Sequence, residues 1–199
     1  MKIVLIGATG IIGKAVAKAL EAHQVICVGN TGGDYQVNIE DRDSIKALFD
    51  QIGQVDAIIS TAGMAHFAAV EELSYEQVKQ SIDSKLLGNV NVFQVGKDFV
   101  KEGGSITLTS GVLSHQLMHG ASAISLVNAG LDAFVRASAF ELGDTLRVNT
   151  VSPHFVKETM ELMGLDTDSG ISAADTAKAY VYAALSNETG KAIDVADHV

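Results

Sequence analysis

Tryptophan is absent from this chain of 199 residues, proline and cysteine occur once each, and basic side chains are scarce: 14 Lys and Arg stand against 24 Asp and Glu, a formal charge of −10. Each shortage excludes something. A lone cysteine, Cys27, cannot close an internal disulfide, which removes the disulfide-stapled secreted scaffolds. Set in the run Val25-Ile26-Cys27-Val28, it reads as a small core residue in a reducing compartment. The acidic balance argues against nucleic acid or an anionic membrane surface as the main partner. With one proline and 47% hydrophobic residues, the chain is neither Pro-rich nor disordered. Long apolar runs are missing as well. The N-terminal one is broken by glycines after Ile6 and by Lys14, so it is neither a signal peptide nor a membrane span, and a cytoplasmic protein is expected.

What the chain has in quantity is aliphatic residues and 19 glycines, and the most informative glycines come first. Lys2-Ile3-Val4-Leu5-Ile6 is short, β-branched and apolar on both faces, as a buried parallel strand is. Gly7-Ala8-Thr9-Gly10-Ile11-Ile12-Gly13 follows, and then Ala15, Val16, Ala19 and Leu20 recur at helical spacing. A Gly-rich turn between strand and helix lets the backbone approach a pyrophosphate, whose charge sits at the open N–H groups of the helix. The spacing Gly-x-x-Gly-x-x-Gly lacks the second glycine of Gly-x-Gly-x-x-Gly, here Ala8. The alternative is a turn that only packs helix on sheet.

Strand and helix patterns then alternate. Gln24 to Val28 is a second strand, leading into Gly29-Asn30-Thr31-Gly32-Gly33. In dinucleotide folds an acid at the end of this strand bonds the ribose, whereas a basic residue accommodates a 2′-phosphate. Neither is present, so NADP is preferred over NAD, with Asn30 and Thr31 as contacts. Tyr35 to Asn38 is a short third strand. Asp41 or Asp43 caps a helix ended by Gly53, and Val55 to Ser60 is a fourth strand running into Thr61-Ala62-Gly63. Ser74 and Gln77 form a capping box for a long helix toward residue 100, ended by Gly103-Gly104. Ser105 to Thr109, Leu146 to Val151 and Lys191 to Val195 are further strands. A second long helix spans 122–142, and Ser172 with Asp175 starts a late one. The pattern implies one α/β domain over 1–199, a Rossmann-type doubly wound parallel sheet of about seven strands with helices on both faces. Ligands belong at the carboxyl ends of its strands, where the segments 7–13, 60–63 and 110–111 converge.

Taken together these segments resemble the short-chain dehydrogenase/reductase family. The matches are Gly7 to Gly13 as the glycine motif, Asn38-Ile39 where the family has an Asp-Val pair near adenine, and Ser60-Thr61-Ala62-Gly63 for its Asn-Asn-Ala-Gly. Lys85-Leu86-Leu87-Gly88 stands in place of Asn-x-x-Gly, Ser110 is the catalytic serine, Asn128 to Arg136 is the helix after the active tyrosine, and Arg147 to Pro153 matches Arg-Val-Asn-x-x-x-Pro. The resemblance implies a cofactor held by Gly7, Thr9, Gly10, Ile11, Ile12 and Gly13 at the pyrophosphate, by Asn38, Ile39, Thr61, Ala62 and Gly63 along the crevice, and by Asn128, Pro153 and Val156 at the nicotinamide end. It also implies a homo-oligomer built on the two long helices, whose apolar faces equally suit an internal core.

The same alignment puts Ile124 in the tyrosine position and Asn128 in that of the lysine; a register shifted by one gives Ala123 and Val127. The only Tyr-x-x-x-Lys in the right spacing, Tyr75 and Lys79, precedes the serine-bearing strand and is a decoy. Lys85 and Asn128 look like an exchange of two family residues, so Lys85 is a candidate to act on the ribose or a relayed water; the alternative is a solvated lysine. Ser110 either bonds a substrate oxygen or satisfies backbone at a strand end. His115 and His119, four apart, are spaced for one helical face but lack a third ligand for zinc; they read instead as loop or helix-start residues, with His119 as an alternative proton donor. His154 crowds the nicotinamide end, Asp194 and Asp197 read as solvated tail residues, and the short segment from Glu158 to Gly170 is a small lid. Three functions follow: an NADP(H)-dependent reductase or dehydrogenase of a small carbonyl or alcohol with a nonstandard proton source, an inactive dinucleotide-binding sensor, or a scaffold.

Overall fold

The computed structural model describes residues 1–199. Seven strands form one parallel sheet: β1 (Lys2–Ile6), β2 (Gln24–Gly29), β3 (Tyr35–Gln36), β4 (Val55–Ser60), β5 (Val100–Thr109), β6 (Arg147–Ser152) and β7 (Ala192–Asp194). Their order is β3-β2-β1-β4-β5-β6-β7, so the chain runs outward from β1 in one direction and then returns to continue in the other. The reversal lies between β1 and β4, whose carboxyl ends open the crevice where such sheets bind ligands.

Side chains alternate across each strand, which sorts the apolar residues into two layers. Val4 and Ile6 of β1 join Val28, Ile58, Ile106 and Val148 on one face, covered by α2 (Arg42–Ile52), α4 (Gly88–Gly96) and α5 (Ser122–Leu142) through Phe49, Phe93 and Leu131. Ile3 and Leu5 join Ala57, Ile59 and Val151 on the other, under α1 (Ile11–Ala19) and α7 (Ala173–Leu185), with Val16, Leu20 and Tyr180. Burying each large aliphatic side chain contributes about 1.5–3 kcal/mol relative to exposure, which is what holds both layers to the sheet. Cys27 is half-buried at the edge of the second layer rather than sealed inside it, and burial raises its thiol pKa, with Asp34 adding to the effect.

Local signals act as expected at several boundaries. Asp41 Oδ1 accepts the N–H groups of Asp43 and Ser44 at the start of α2. Ser74 and Gln77 make the reciprocal capping bonds of α3 (Tyr75–Ser81). Two expectations are corrected. The helix from Ser74 does not run uniformly to residue 100: after α3 it widens into a π-helical stretch, Ile82–Leu87, before α4 resumes at Gly88. Gly103-Gly104 does not separate helix from strand either. Both lie inside β5, at a register shift between its pairing with Val55 and with Ala57, where the absence of side chains lets the strand bend. One further helix, α6 (Lys157–Leu162), occupies the lid segment.

The Arg147 to Pro153 stretch is architectural. Arg147 Nη2 donates to the Ala184 carbonyl at 3.2 Å and Nη1 to that of Ser186, closing the carboxyl end of α7. Asn149 donates to the Glu188 carbonyl at 2.7 Å and accepts from the Lys191 N–H at 3.0 Å, so it sets the turn into β7.

Candidate active site

At the end of β1 the backbone of Gly7 has φ +86°, a left-handed conformation, and a Cβ there would stand 2.6 Å from Thr61 Oγ1. Only glycine meets both demands. Gly10 then enters α1 in an extended conformation with no side-chain cap, leaving the first N–H groups of the helix without a protein acceptor. That is an anion cradle of the kind a pyrophosphate fills. A cavity of about 360 Å³ extends from it past Asn30, Asn38, Ile39, Thr61 and Ala62. Its single charged lining residue is Glu40; no Lys or Arg reaches it. Asn38 Oδ1 accepts the Glu40 N–H at 3.1 Å, and this turn positions the adenine end.

Gly63 belongs both to this cavity and to an inner one of about 260 Å³, so the two form one crevice over the ends of β1, β4, β5 and β6. Gly63 has φ +109°, and a Cβ there would be 3.0 Å from Lys85 Cα, so its smallness sets the approach of the π-helical stretch. The inner cavity collects Ile12, Lys85, Ser110, Ile124, Asn128, Pro153 and His154. Ser110, buried, donates its hydroxyl to the Val151 carbonyl at a long 3.3 Å, leaving its oxygen free to accept. Asn128 donates weakly to the Gly111 carbonyl at 3.4 Å, while its Oδ1 is buried without a partner. Such an orphan costs about 1–3 kcal/mol until a donor reaches it.

Lys85 is part-buried; its carbonyl accepts from Asn89 at 2.8 Å, while its amine has no hydrogen-bond partner within the protein and is not sealed from the cavity. Burial lowers its pKa to about 8, against a partial upward pull from the Asp132 carboxylate. Asp132 itself accepts the Thr150 hydroxyl at 2.6 Å. A lysine without a fixed partner beside an orphaned amide, a free hydroxyl oxygen and an open helix end is a set of groups suited to ribose and substrate oxygens. The residues present therefore fit a nicotinamide dinucleotide.

Several residues named from the sequence stand elsewhere. Thr31 is exposed and does not line the crevice, because the turn at Gly32 and Gly33 brings Asn30 alone to its edge. Ile11 and Gly13 act from behind, Gly13 buried under the turn. Val156 is buried in a bridge to Ile171 at the base of α6 and does not reach the cavity. His115 and His119 share no helical face: the chain there is a single tight turn, Val112–Ser114, followed by exposed loop, and neither ring lines the cavity. Tyr75 is 82% exposed on α3 and Lys79 is ion-paired to Asp83, and neither lines the cavity. Asp194 is not a solvated tail residue; it is hydrogen-bonded to His154.

One polar chain had no signal in the sequence. Tyr180 on α7 bonds Thr109 at 2.8 Å, and Thr109 donates to the Ser60 carbonyl at 2.7 Å, so the tyrosine hydroxyl is committed as donor to Thr109. Burial raises its pKa, which the Thr109 bond only partly offsets. It is a sealed structural link between α7 and the sheet.

Comparison with known proteins agrees with this geometry. The family model described as Enoyl-(Acyl carrier protein) reductase matches residues 11–198. An uncharacterized oxidoreductase of Methylorubrum extorquens is 29% identical over 85% of this chain and 80% of its own, and the chain spans about half the length of two further curated relatives it matches. The crystal structure of the Listeria innocua protein lin1944 superposes with a TM-score of 0.93 at 36% identity, covering 98% of this chain and 99% of that one. A small-chain dehydrogenase in complex with NADPH superposes at 0.84 with 32% identity, covering 98% and 95%. The sheet order, the glycine turn, the crevice and these matches together establish that the chain belongs to the short-chain dehydrogenase/reductase family.

Proposed function

We propose that this protein is an NADP(H)-dependent reductase or dehydrogenase of a small carbonyl or alcohol, working with Lys85 and Ser110 and without the tyrosine and lysine of the family pattern. The observation that carries the reading is the meeting of Lys85, Ser110, Asn128 and Ile124 in one cavity continuous with the dinucleotide crevice. Ile124, at the tyrosine's place in the pattern, has no exchangeable proton. Asn128, at the lysine's place, lines the same cavity as Lys85, so the cation comes from the π-helical stretch instead of from α5.

A bound nicotinamide supplies the hydride, and the protein must orient the substrate and manage charge and protons. Ser110 holds the substrate oxygen by a hydrogen bond. Lys85, still mostly protonated at pH 7, places a cation next to the ribose hydroxyls and the oxygen on which negative charge develops. NADP is favoured because the end of β2 carries Asn30 rather than an acid that would bond the ribose and repel a 2′-phosphate, and because a structural relative was crystallised with NADPH. We further assign self-association to the two long helical segments, 75–100 and 122–142, where Phe140 is 88% exposed.

Calorimetric titration with NADPH and NADH, then loss of nicotinamide absorbance with a panel of aldehydes and ketones, tests this. Expected are tighter binding of NADPH and turnover of at least one carbonyl. Binding without turnover supports a dinucleotide sensor instead, and absence of binding refutes both. Light scattering after size exclusion checks the oligomer, which a monomer would contradict.

A further inference from the structure

The reductase reading leaves the proton source unnamed, and one titratable group in the cavity, backed by a carboxylate outside it, is not used by it. His154 follows the chain's one proline on the segment between β6 and α6, and it lines the inner cavity together with Ser110. Its Nε2 lies 2.8 Å from Asp194 Oδ1, with both side chains about a quarter exposed. The same carboxylate oxygen accepts the Ala196 N–H at 2.9 Å, so Asp194 is fixed at the end of β7 before it meets the ring.

A carboxylate on Nε2 selects the tautomer with its proton there. Nδ1 is then the basic atom. It has no hydrogen-bond partner in the protein and is not sealed. Tyr180 is buried and committed to Thr109, His115 and His119 lie outside the cavity, and Lys85 lines it but is the cation assigned to the ribose and the developing charge. No carboxylate lines the cavity. The charged groups facing His154 there are Asp194 from β7 and Lys85 from the π-helical stretch, with Asp132 of α5 behind Lys85.

We propose that His154 exchanges the proton with the substrate oxygen held by Ser110, and that Asp194 is the positioning residue that sets its tautomer. The proposal rests on the reductase reading. In the reducing direction the carbonyl carbon accepts a hydride from the reduced dinucleotide, the π pair moves to oxygen, and that oxygen takes the Nδ1 proton of the imidazolium. The products are an alcohol, the oxidised dinucleotide and a neutral imidazole, which regains a proton from water; oxidation runs the same transfers backwards.

The test compares wild type with His154→Gln, His154→Gly and Asp194→Asn, using NADPH and the carbonyl panel. General acid catalysis contributes about 10²–10⁴-fold, so His154→Gln should lose that much in kcat while its NADPH affinity, read by cofactor fluorescence, stays within about twofold. Added imidazole should restore turnover to His154→Gly and not to His154→Gln, and Asp194→Asn should lower kcat with little change in KM. Long-range ¹H–¹⁵N spectra of the wild type give a readout independent of turnover and of variant folding. They should show His154 protonated on Nε2, with the Nδ1 signal moving when NADP⁺ and trifluoroethanol are added. Full kcat in His154→Gln, or an Nδ1 signal that does not move, overturns the proposal alone. Cofactor binding with no carbonyl reduced by the wild type removes the reductase reading and this proposal with it.

Discussion

Lys85 should destabilise the fold it serves, and replacing it with methionine measures by how much. In the unfolded chain its amine titrates near 10.5; in the folded protein burial brings this to about 8, even with Asp132 pulling the other way. Between those values the unfolded state holds a proton that the folded state does not. Stability therefore rises with pH from about 8 toward 10.5, and the penalty is at its full size below 8. A change in proton affinity of that span corresponds to about 3 kcal/mol, and the access of the amine to the cavity argues for the lower figure of about 2 kcal/mol. Methionine matches the aliphatic stem in volume and carries no charge, so repacking should cost little. For a chain of this length Lys85→Met should then melt about 4–8 °C above wild type at pH 7. Differential scanning calorimetry of both proteins from pH 7 to 10.5 provides the assay. The gap should begin to narrow near pH 8, where folded Lys85 loses its proton, and close by about 10.5, where the unfolded chain loses it too. A gap of zero at pH 7, or one that persists unchanged to pH 10.5, refutes the reasoning. The stabilised variant should also turn over more slowly, because the charge that costs stability is the one placed beside the ribose and substrate oxygens.

Other positions give sharper yes-or-no outcomes. Tyr180→Phe removes one buried hydrogen bond but leaves Thr109 bonded to Ser60, so stability to urea should fall by about 1 kcal/mol and turnover should not change; a large loss of kcat would reopen the tyrosine as a proton source. Gly7→Ala forces a Cβ into a left-handed turn against Thr61, and we expect it to lower stability by more than about 1 kcal/mol and to weaken NADPH binding in the same calorimetric titration. Arg147→Gln opens the carboxyl end of α7, and a loss of about 1–3 kcal/mol in urea unfolding is expected without a change in cofactor affinity.

Periodicity and glycine placement were enough to derive the order of strands and helices, the parallel sheet and the pyrophosphate turn, because these depend on short-range chemistry. A β-branched run of five residues, a turn only glycine can make and a helix beginning at Ile11 are all local. The family pattern likewise pointed to Ser110, Lys85 and Asn128, which line one cavity, and set apart Tyr75 and Lys79, which do not line it. Only the tertiary structure decided three things. It set Lys85 in a π-helical widening, which no residue pattern from Ile82 to Leu87 announces, and which packs against Gly63 and α5. It removed Thr31 and Val156 from the crevice, one by the course of a glycine turn and the other by a bridge to Ile171. And it joined His154 to Asp194, 40 residues apart, because β6 and β7 are neighbours that end side by side. Local structure follows from neighbours in the chain, whereas the company an ionisable group keeps is settled by which strand ends the sheet brings together.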